Sequence, residues 1–313
     1  MSFLYFLVFI IFIFILSKSS NAVLIRVKRI ARLLGVSEIT VTLLGLSILA
    51  SLPEFLISLF AALRHTSSVS LGTILGSNIF ALLVVLGIAA LIKPFHVKMV
   101  IEERDGTWLL LSSAILLIFA RGGINRWEGI ALVALYLPYI YSVYHKERGK
   151  KRLVTPLKKR LSKGKEIFAL LFITLIMLGS AELVLRSGLK LAAAFHVPDV
   201  IMALILIGIG ASIPETTIGV LSALDKHTEV TLGDVYGTDI FTGLFILGVC
   251  AIVSPIPVSP LIQDFTIPYF ILGTIILQLF YAMGHKVGRL EGFFLLLLYA
   301  YFALVQLGIL PMV

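Results

Sequence analysis

The chain has 313 residues, 59% hydrophobic and only 14% charged, and apolar runs of about 18 or more residues recur along it, which excludes a soluble domain. Its net charge of +9 is concentrated in one segment between apolar runs, a mark of membrane topology rather than of nucleic-acid binding. Cys250 is the only cysteine, and no phosphate loop, zinc spacing or nucleophile elbow is present, so neither disulfide nor redox chemistry, enzyme activity nor a cofactor is expected.

Residues 3–17 are almost wholly apolar. The leading Met1-Ser2-Phe3 carries no Lys or Arg, which disfavours a cleaved signal and predicts a retained helix. That helix continues through Arg26, Lys28, Arg29 and Arg32 to Gly35. Further membrane segments are predicted at about 38–64, 71–92, 107–120 and 127–144, with a solvated loop carrying Glu102, Glu103, Arg104 and Asp105. A basic linker from Lys146 to Lys165 follows. The second half gives segments at about 167–194, 200–224, 232–253, 265–283 and 290–310.

The two halves align without a gap at an offset of 161 positions. Gly72, Gly76, Gly87 and Pro94 meet Gly233, Gly237, Gly248 and Pro255, and Ser51, Pro53 and Glu54 meet Ser212, Pro214 and Glu215. Further on, Arg126-x-Glu128-Gly129 meets Arg289-x-Glu291-Gly292. Shared apolar composition does not keep Gly, Pro and Glu in register over so long a stretch. The predicted fold is therefore an all-α integral membrane protein with ten transmembrane helices, built as two inverted five-helix repeats with broken helices at an ion site. The first repeat is 1–145, with its motif near 47–81. The cytoplasmic linker is 146–165, and the second repeat is 166–313, with its motif near 208–242. Basic residues favour the cytoplasmic side, so both termini are expected outside a cell membrane crossed many times.

Each repeat carries Pro followed by Glu at membrane depth. Proline has no N–H, so the carbonyls of Leu49 and Gly210, four residues earlier, lose their helical partners. A carboxylate at that depth costs several kcal/mol unless something meets it, and two unpaired anions repel. A divalent cation between Glu54 and Glu215 resolves both problems. Calcium takes about 6–8 hard oxygens at about 2.3–2.6 Å. The Ser51 and Ser212 hydroxyls and the carbonyls near Ala50 and Ala211 are candidate ligands. Ser77 and Thr238 are repeat partners, and Thr242 lies four residues beyond Thr238, on the same face. Asp239, at the position matching Asn78, is a third acid at membrane depth; it lies ~100° around the helix from Thr238, which leaves its facing open. Asp234 is assigned to a helix start, as a partner for the dipole.

These residues resemble the cation/calcium exchanger superfamily, most of all the archaeal and bacterial sodium/calcium exchangers, over nearly the whole chain. The resemblance rests on two repeat motifs, usually written Gly-Thr-Ser-Leu-Pro-Glu and each followed by Gly-Ser-Asn-Ile. Here they read Leu49-Ala50-Ser51-Leu52-Pro53-Glu54 with Gly76-Ser77-Asn78-Ile79, and Gly210-Ala211-Ser212-Ile213-Pro214-Glu215 with Gly237-Thr238-Asp239-Ile240. The resemblance implies calcium ligation by both glutamates and exchange of calcium for sodium across the bilayer. It also implies alternating access by sliding of the first and sixth helices. The motif threonines are replaced by Ala50 and Ala211, and Ala81 and Thr242 stand where the family places Asn or Asp. Several sodium ligands are thus missing, and calcium/proton exchange is the alternative. A membrane hydrolase would need a catalytic motif, and a non-transporting ion sensor a large soluble domain; neither is visible. The oligomeric state is left open.

Overall fold

The computed structural model describes residues 2–33, 48, 50–96, 102–147, 163–224, 228–284 and 286–311. Leu49 and most of the basic linker lie outside the described residues, as does the stretch 34–47 that leads to the first break. In hydrocarbon every backbone polar group must be satisfied within the protein, so the long apolar runs are helices. The only strand pairing among the described residues joins Phe95–His96 to Lys286–Val287, with one further bridge between Ile124 and Ile256.

Helix α1 spans Ser2–Leu33, and α2 spans Leu52–Leu63. Helix α3 (Ser67–Phe80) runs through a π-helical turn (Ala81–Val85) into α4 (Leu86–Ile92). A π-helical turn at Glu102–Gly106 opens α5 (Thr107–Phe119), and α6 spans Arg126–Glu147. In the second half, α7 spans Lys163–Phe195. Helix α8 (Asp199–Met202) passes through a π turn (Ala203–Ile207) into α9 (Gly208–Ala211), and α10 (Ile213–Leu224) departs from that line by 43°. Helix α11 (Thr228–Ile240), a π turn (Phe241–Ile246) and α12 (Leu247–Val253) form one rod. A π turn at Ile262–Thr266 opens α13 (Ile267–Gly284), and α14 is Arg289–Gln306. Among the described residues, six helices are long and apolar enough to cross a bilayer, and the bent α8–α10 stretch makes a seventh.

Interactions recur between the halves. Ser70 donates to the Ser58 carbonyl and Thr231 to the Gly219 carbonyl, each pair displaced by 161 positions from the other. Glu128 accepts the Asn125 N–H at 2.7 Å, and Glu291 accepts the Gly288 N–H at 3.0 Å, so both matched acids cap the helices that follow. Gly87 backs onto Gly292, and Gly248 onto Gly129, so that α4 packs on α14 as α12 packs on α6. A Cβ on any of the four would lie 2.7–3.0 Å from a backbone oxygen or a facing side chain. Small residues are what allow this backbone approach.

Two hydrophobic clusters form the interior. The larger joins α3–α6 with α11–α14, while the smaller joins α1 and α7 to one side of α2 and of α8–α9. The broken segments lie where the two clusters meet. Helices α1 and α7 turn large side chains such as Phe3, Phe6, Phe168 and Phe172 outward, as lipid-facing helices do. They run antiparallel: Arg26 and Arg29, near the end of α1, pair with Glu166 at the start of α7 at 2.7 and 3.6 Å. Farther along α7, Glu182 takes Arg186 at 2.6 Å and also Arg64, just past the end of α2.

One loop expectation is corrected. Asp105 is not solvated; it is buried in the π turn, where Arg104 Nε and Nη2 donate to its two oxygens at 2.6 and 2.8 Å.

Candidate ion-binding site

The two breaks have the same local geometry. Ser51 has φ −80° and ψ 11°, and Ser212 has φ −82° and ψ 7°; both leave the helical region at the residue that precedes a new helix, and Ser212 also ends α9. Each break restarts the same way, with Phe55 N–H donating to Ser51 O and Thr216 N–H to Ser212 O, both at 2.9 Å. Pro53 and Pro214 are tolerated because they fall in the first turn of the new helix, where an N–H has no intrahelical partner.

Glycine brings the halves together here. A Cβ on Gly76 would lie 2.0 Å from Leu204 O, one on Gly72 2.5 Å from Val200 O, and one on Gly208 2.9 Å from the Gly76 carbonyl carbon. Helix α3 therefore crosses α8–α9 backbone to backbone, which sets Ser77 beside the approach to the second break. Meanwhile the Ser70–Ser58 and Thr231–Gly219 bonds fix α2 against α3 and α10 against α11. One turn from these bonds, Glu54 and Glu215 come level with the middle of the facing helix.

Glu54, Glu215 and Asp239 are 1–2% exposed, and none of their carboxylate oxygens has a donor in hydrogen-bonding geometry, though Ser212 Oγ lies close to Glu54. No Lys or Arg pairs with them among the described residues. Each lies within electrostatic reach of at least one other: Glu215 feels Glu54, Asp234 and Asp239, and Asp239 feels Glu54 and Asp234. Leaving one buried polar group unsatisfied costs about 1–3 kcal/mol, more when it is charged. Three together mark a place where something from outside the chain completes the hydrogen bonding or the charge.

The hydroxyls are set up to accept. Ser212 Oγ, beside Glu54, donates to Gly208 O at 3.0 Å, and Ser77 Oγ donates to Ile74 O at 3.0 Å. Thr242 Oγ1 donates to Asn78 Oδ1 at 2.8 Å, with Asp239 O at 3.2 Å. Each commits its proton to the protein and keeps lone pairs for a cation. Thr238 Oγ1 is buried with no partner, and Ser51 is fully buried. Ala50 and Ala211 are buried at 3% and 1% exposure and can offer only their carbonyls. Among the described residues no three acidic, His or Cys side chains cluster closely enough to hold a metal alone, so a cation here would need carbonyls and hydroxyls to complete its shell.

Two acids need comment. Asp239, whose facing the helical angle left open, is buried within electrostatic reach of Glu54. Asp234 is the residue that sequence reasoning assigned elsewhere. Helix α11 spans Thr228–Ile240 rather than starting near 232, which puts Asp234 beyond the first turn, where a dipole acts, and within electrostatic reach of Glu215. Its spacing of four from Thr238 was the available signal.

An all-helical membrane protein with two equivalent helix breaks, each bearing an unpaired buried glutamate, is of the kind that holds a cation inside a bilayer. The family model for sodium/calcium exchanger proteins matches residues 4–145 and 165–308, and the chain belongs to that family. It is 27% identical over 341 aligned positions to the sodium/calcium exchanger MaX1 of Methanosarcina acetivorans, covering 96% of this chain and 97% of that protein. To the inner membrane protein YrbG of Escherichia coli it is 28% identical, over 86% of each. A solved structure of the sodium-calcium exchanger NCX_Mj, soaked with 10 mM Na+ and 10 mM Sr2+, superposes with a TM-score of 0.69 at 25% identity over 100% of both chains.

Proposed function

We propose that this chain is a cell-membrane antiporter that exchanges calcium for sodium by alternating access. The observation that carries the reading is the pair of unpartnered, buried glutamates, Glu54 and Glu215, at two breaks of the same backbone geometry. Calcium is held between these carboxylates, with Ser51, Ser212, Ser77, Thr238 and Thr242 and the carbonyls at Ala50 and Ala211 filling its shell, and Asp239 adding charge. The ten helical rods form two five-helix repeats of opposite sense; the recurrent bonds at an offset of 161 support this arrangement. The linker 146–165 is cytoplasmic and both termini are external, as the basic residues favour. Helices α1 and α7, which face lipid and pack on the smaller hydrophobic cluster, move as a pair against the rest. A second reading, calcium/proton exchange, is favoured by one observation: Ala50, Ala211 and Ala81 are buried at places where sodium would need side-chain oxygens. Calcium uptake into proteoliposomes separates the two. The first reading requires uptake driven by an outward sodium gradient, whereas uptake driven only by a pH gradient establishes the second.

A further inference from the structure

The repeat sets a hydroxyl and a carboxylate at equivalent points of the two approaches to the glutamates. Thr73 stands four residues before Ser77 on α3, and Asp234 four residues before Thr238 on α11. Residues four apart stack on one helix face, so each shares the face of its ligand-type hydroxyl. The Thr231–Gly219 bond at 3.2 Å brings Asp234 level with Glu215, and the Ser70–Ser58 bond at 2.6 Å brings Thr73 level with Glu54. Thr73 is fully buried and Asp234 is 7% exposed. One turn on, the partnerless Thr238 hydroxyl is buried as well; its Cα–Cβ bond leans towards the start of α11 and so towards Asp234.

We propose that Asp234 is a one-sided entry position for the divalent cation. It holds the ion with Glu215 on the side of the membrane towards which α10 runs to Leu224 and from which α11 runs inward from Thr228. From there the ion passes to the place between Glu54 and Glu215. The opposite side is the one where α2 ends at Leu63 and α3 begins at Ser67, and it has only the Thr73 hydroxyl at the corresponding point. A carboxylate adds a full charge in surroundings where Coulomb attraction is several times stronger than in water, while a hydroxyl adds lone pairs alone. The two faces therefore present the same central site with unequal apparent affinity for calcium. The Leu224–Thr228 face is the tighter, and by the course of the chain it is also the face of the basic linker. This inference rests on the antiporter reading.

The test varies calcium on one side at a time, in inverted and in right-side-out membrane vesicles, with sidedness fixed by labelling a cysteine placed in the linker. Asp234→Asn keeps size and removes charge. It is expected to raise half-saturating calcium at the linker face by about fivefold or more, and to leave the opposite face within about twofold. Asp234→Glu is expected to restore most of the loss. Thr73→Asp is expected to lower half-saturating calcium at the opposite face, and it decides the matter if Asp234→Asn fails to insert. Equal losses on both faces, no loss, or no gain from Thr73→Asp overturn the proposal. A parent protein without calcium exchange overturns the antiporter reading itself; normal parent exchange with an unaltered Asp234→Asn overturns only the entry position.

Discussion

The Asn78 side-chain amide donates to the backbone carbonyl of Asp239 at 3.2 Å, and these two residues are 161 positions apart, the offset of the repeat. Corresponding positions of the two halves thus touch each other, as the proposed inverted repeat expects near its axis. The same amide accepts from Thr242 through its oxygen at 2.8 Å, so both ends are committed. Asn78→Ala removes both bonds and leaves Thr242 Oγ1 only its 3.2 Å bond to Asp239 O, at a cost of about 0.5–1.5 kcal/mol for each bond lost. A clear drop in the thermal midpoint in detergent is expected; a parent-like midpoint would show that the pair is not a structural tie.

Gly76 and Gly243 form a contrasting pair. A methyl group on Gly76 would lie 2.0 Å from the Leu204 carbonyl oxygen, whereas the nearest atom to one on Gly243 is 4.0 Å away. Backbone cannot yield as a side-chain end can, so Gly76→Ala is expected to cost about 3 kcal/mol or more. Gly243→Ala is expected to be tolerated. Yield of monodisperse protein and thermal midpoint, measured for both, check the contrast; equal behaviour would contradict the close crossing of α3 over the α8–α9 stretch.

Sodium binding is expected to be limited by missing oxygens. Ala50, Ala211 and Ala81 are all buried, at 3%, 1% and 2% exposure, and supply no side-chain polar atom. An incompletely coordinated ion is penalised in low-dielectric surroundings. The triple variant Ala50→Thr, Ala211→Thr, Ala81→Asn is expected to shift sodium competition against calcium to lower sodium concentrations. Calcium uptake across a sodium titration, parent beside variant, is the measurement. An unchanged sodium midpoint in a folded variant would mean that these groups do not limit sodium.

Much of the site was legible in the sequence because its signals are covalent. Proline cannot donate, Glu is costly at membrane depth, and both recur in register, so the breaks at Ser51 and Ser212 follow from the residues alone. What was not legible depends on helix starts and on packing. Asp234 was assigned to a helix end because apolarity begins near Leu232, but α11 starts at Thr228 and carries the residue inward. Asp105 read as solvent-exposed because its neighbours are charged, yet Arg104 folds onto it within a π turn. The π turns themselves leave no compositional trace, since a shift in hydrogen-bond register needs no special residue type. The division of the interior into two clusters emerges only when the helices are packed.

The proposed topology rests on the basic linker. Cys250 is fully buried and is the chain's only thiol, so introduced cysteines report cleanly. A membrane-impermeant reagent added outside intact cells is expected to miss Thr155→Cys and to reach Val313→Cys. The reverse pattern would invert the orientation while leaving the relation between the repeats intact.

The central claim is that the transported calcium is held by Glu54 and Glu215. The most direct measurement is calcium uptake by purified Glu54→Gln and Glu215→Gln in proteoliposomes, with calcium-induced thermal stabilisation recorded on the same samples. Each substitution removes one buried carboxylate and leaves a neutral amide of similar size. The account predicts that both variants fold and insert, lose calcium uptake, and lose most of the stabilisation by calcium. Parent-level calcium exchange by either folded variant would contradict it.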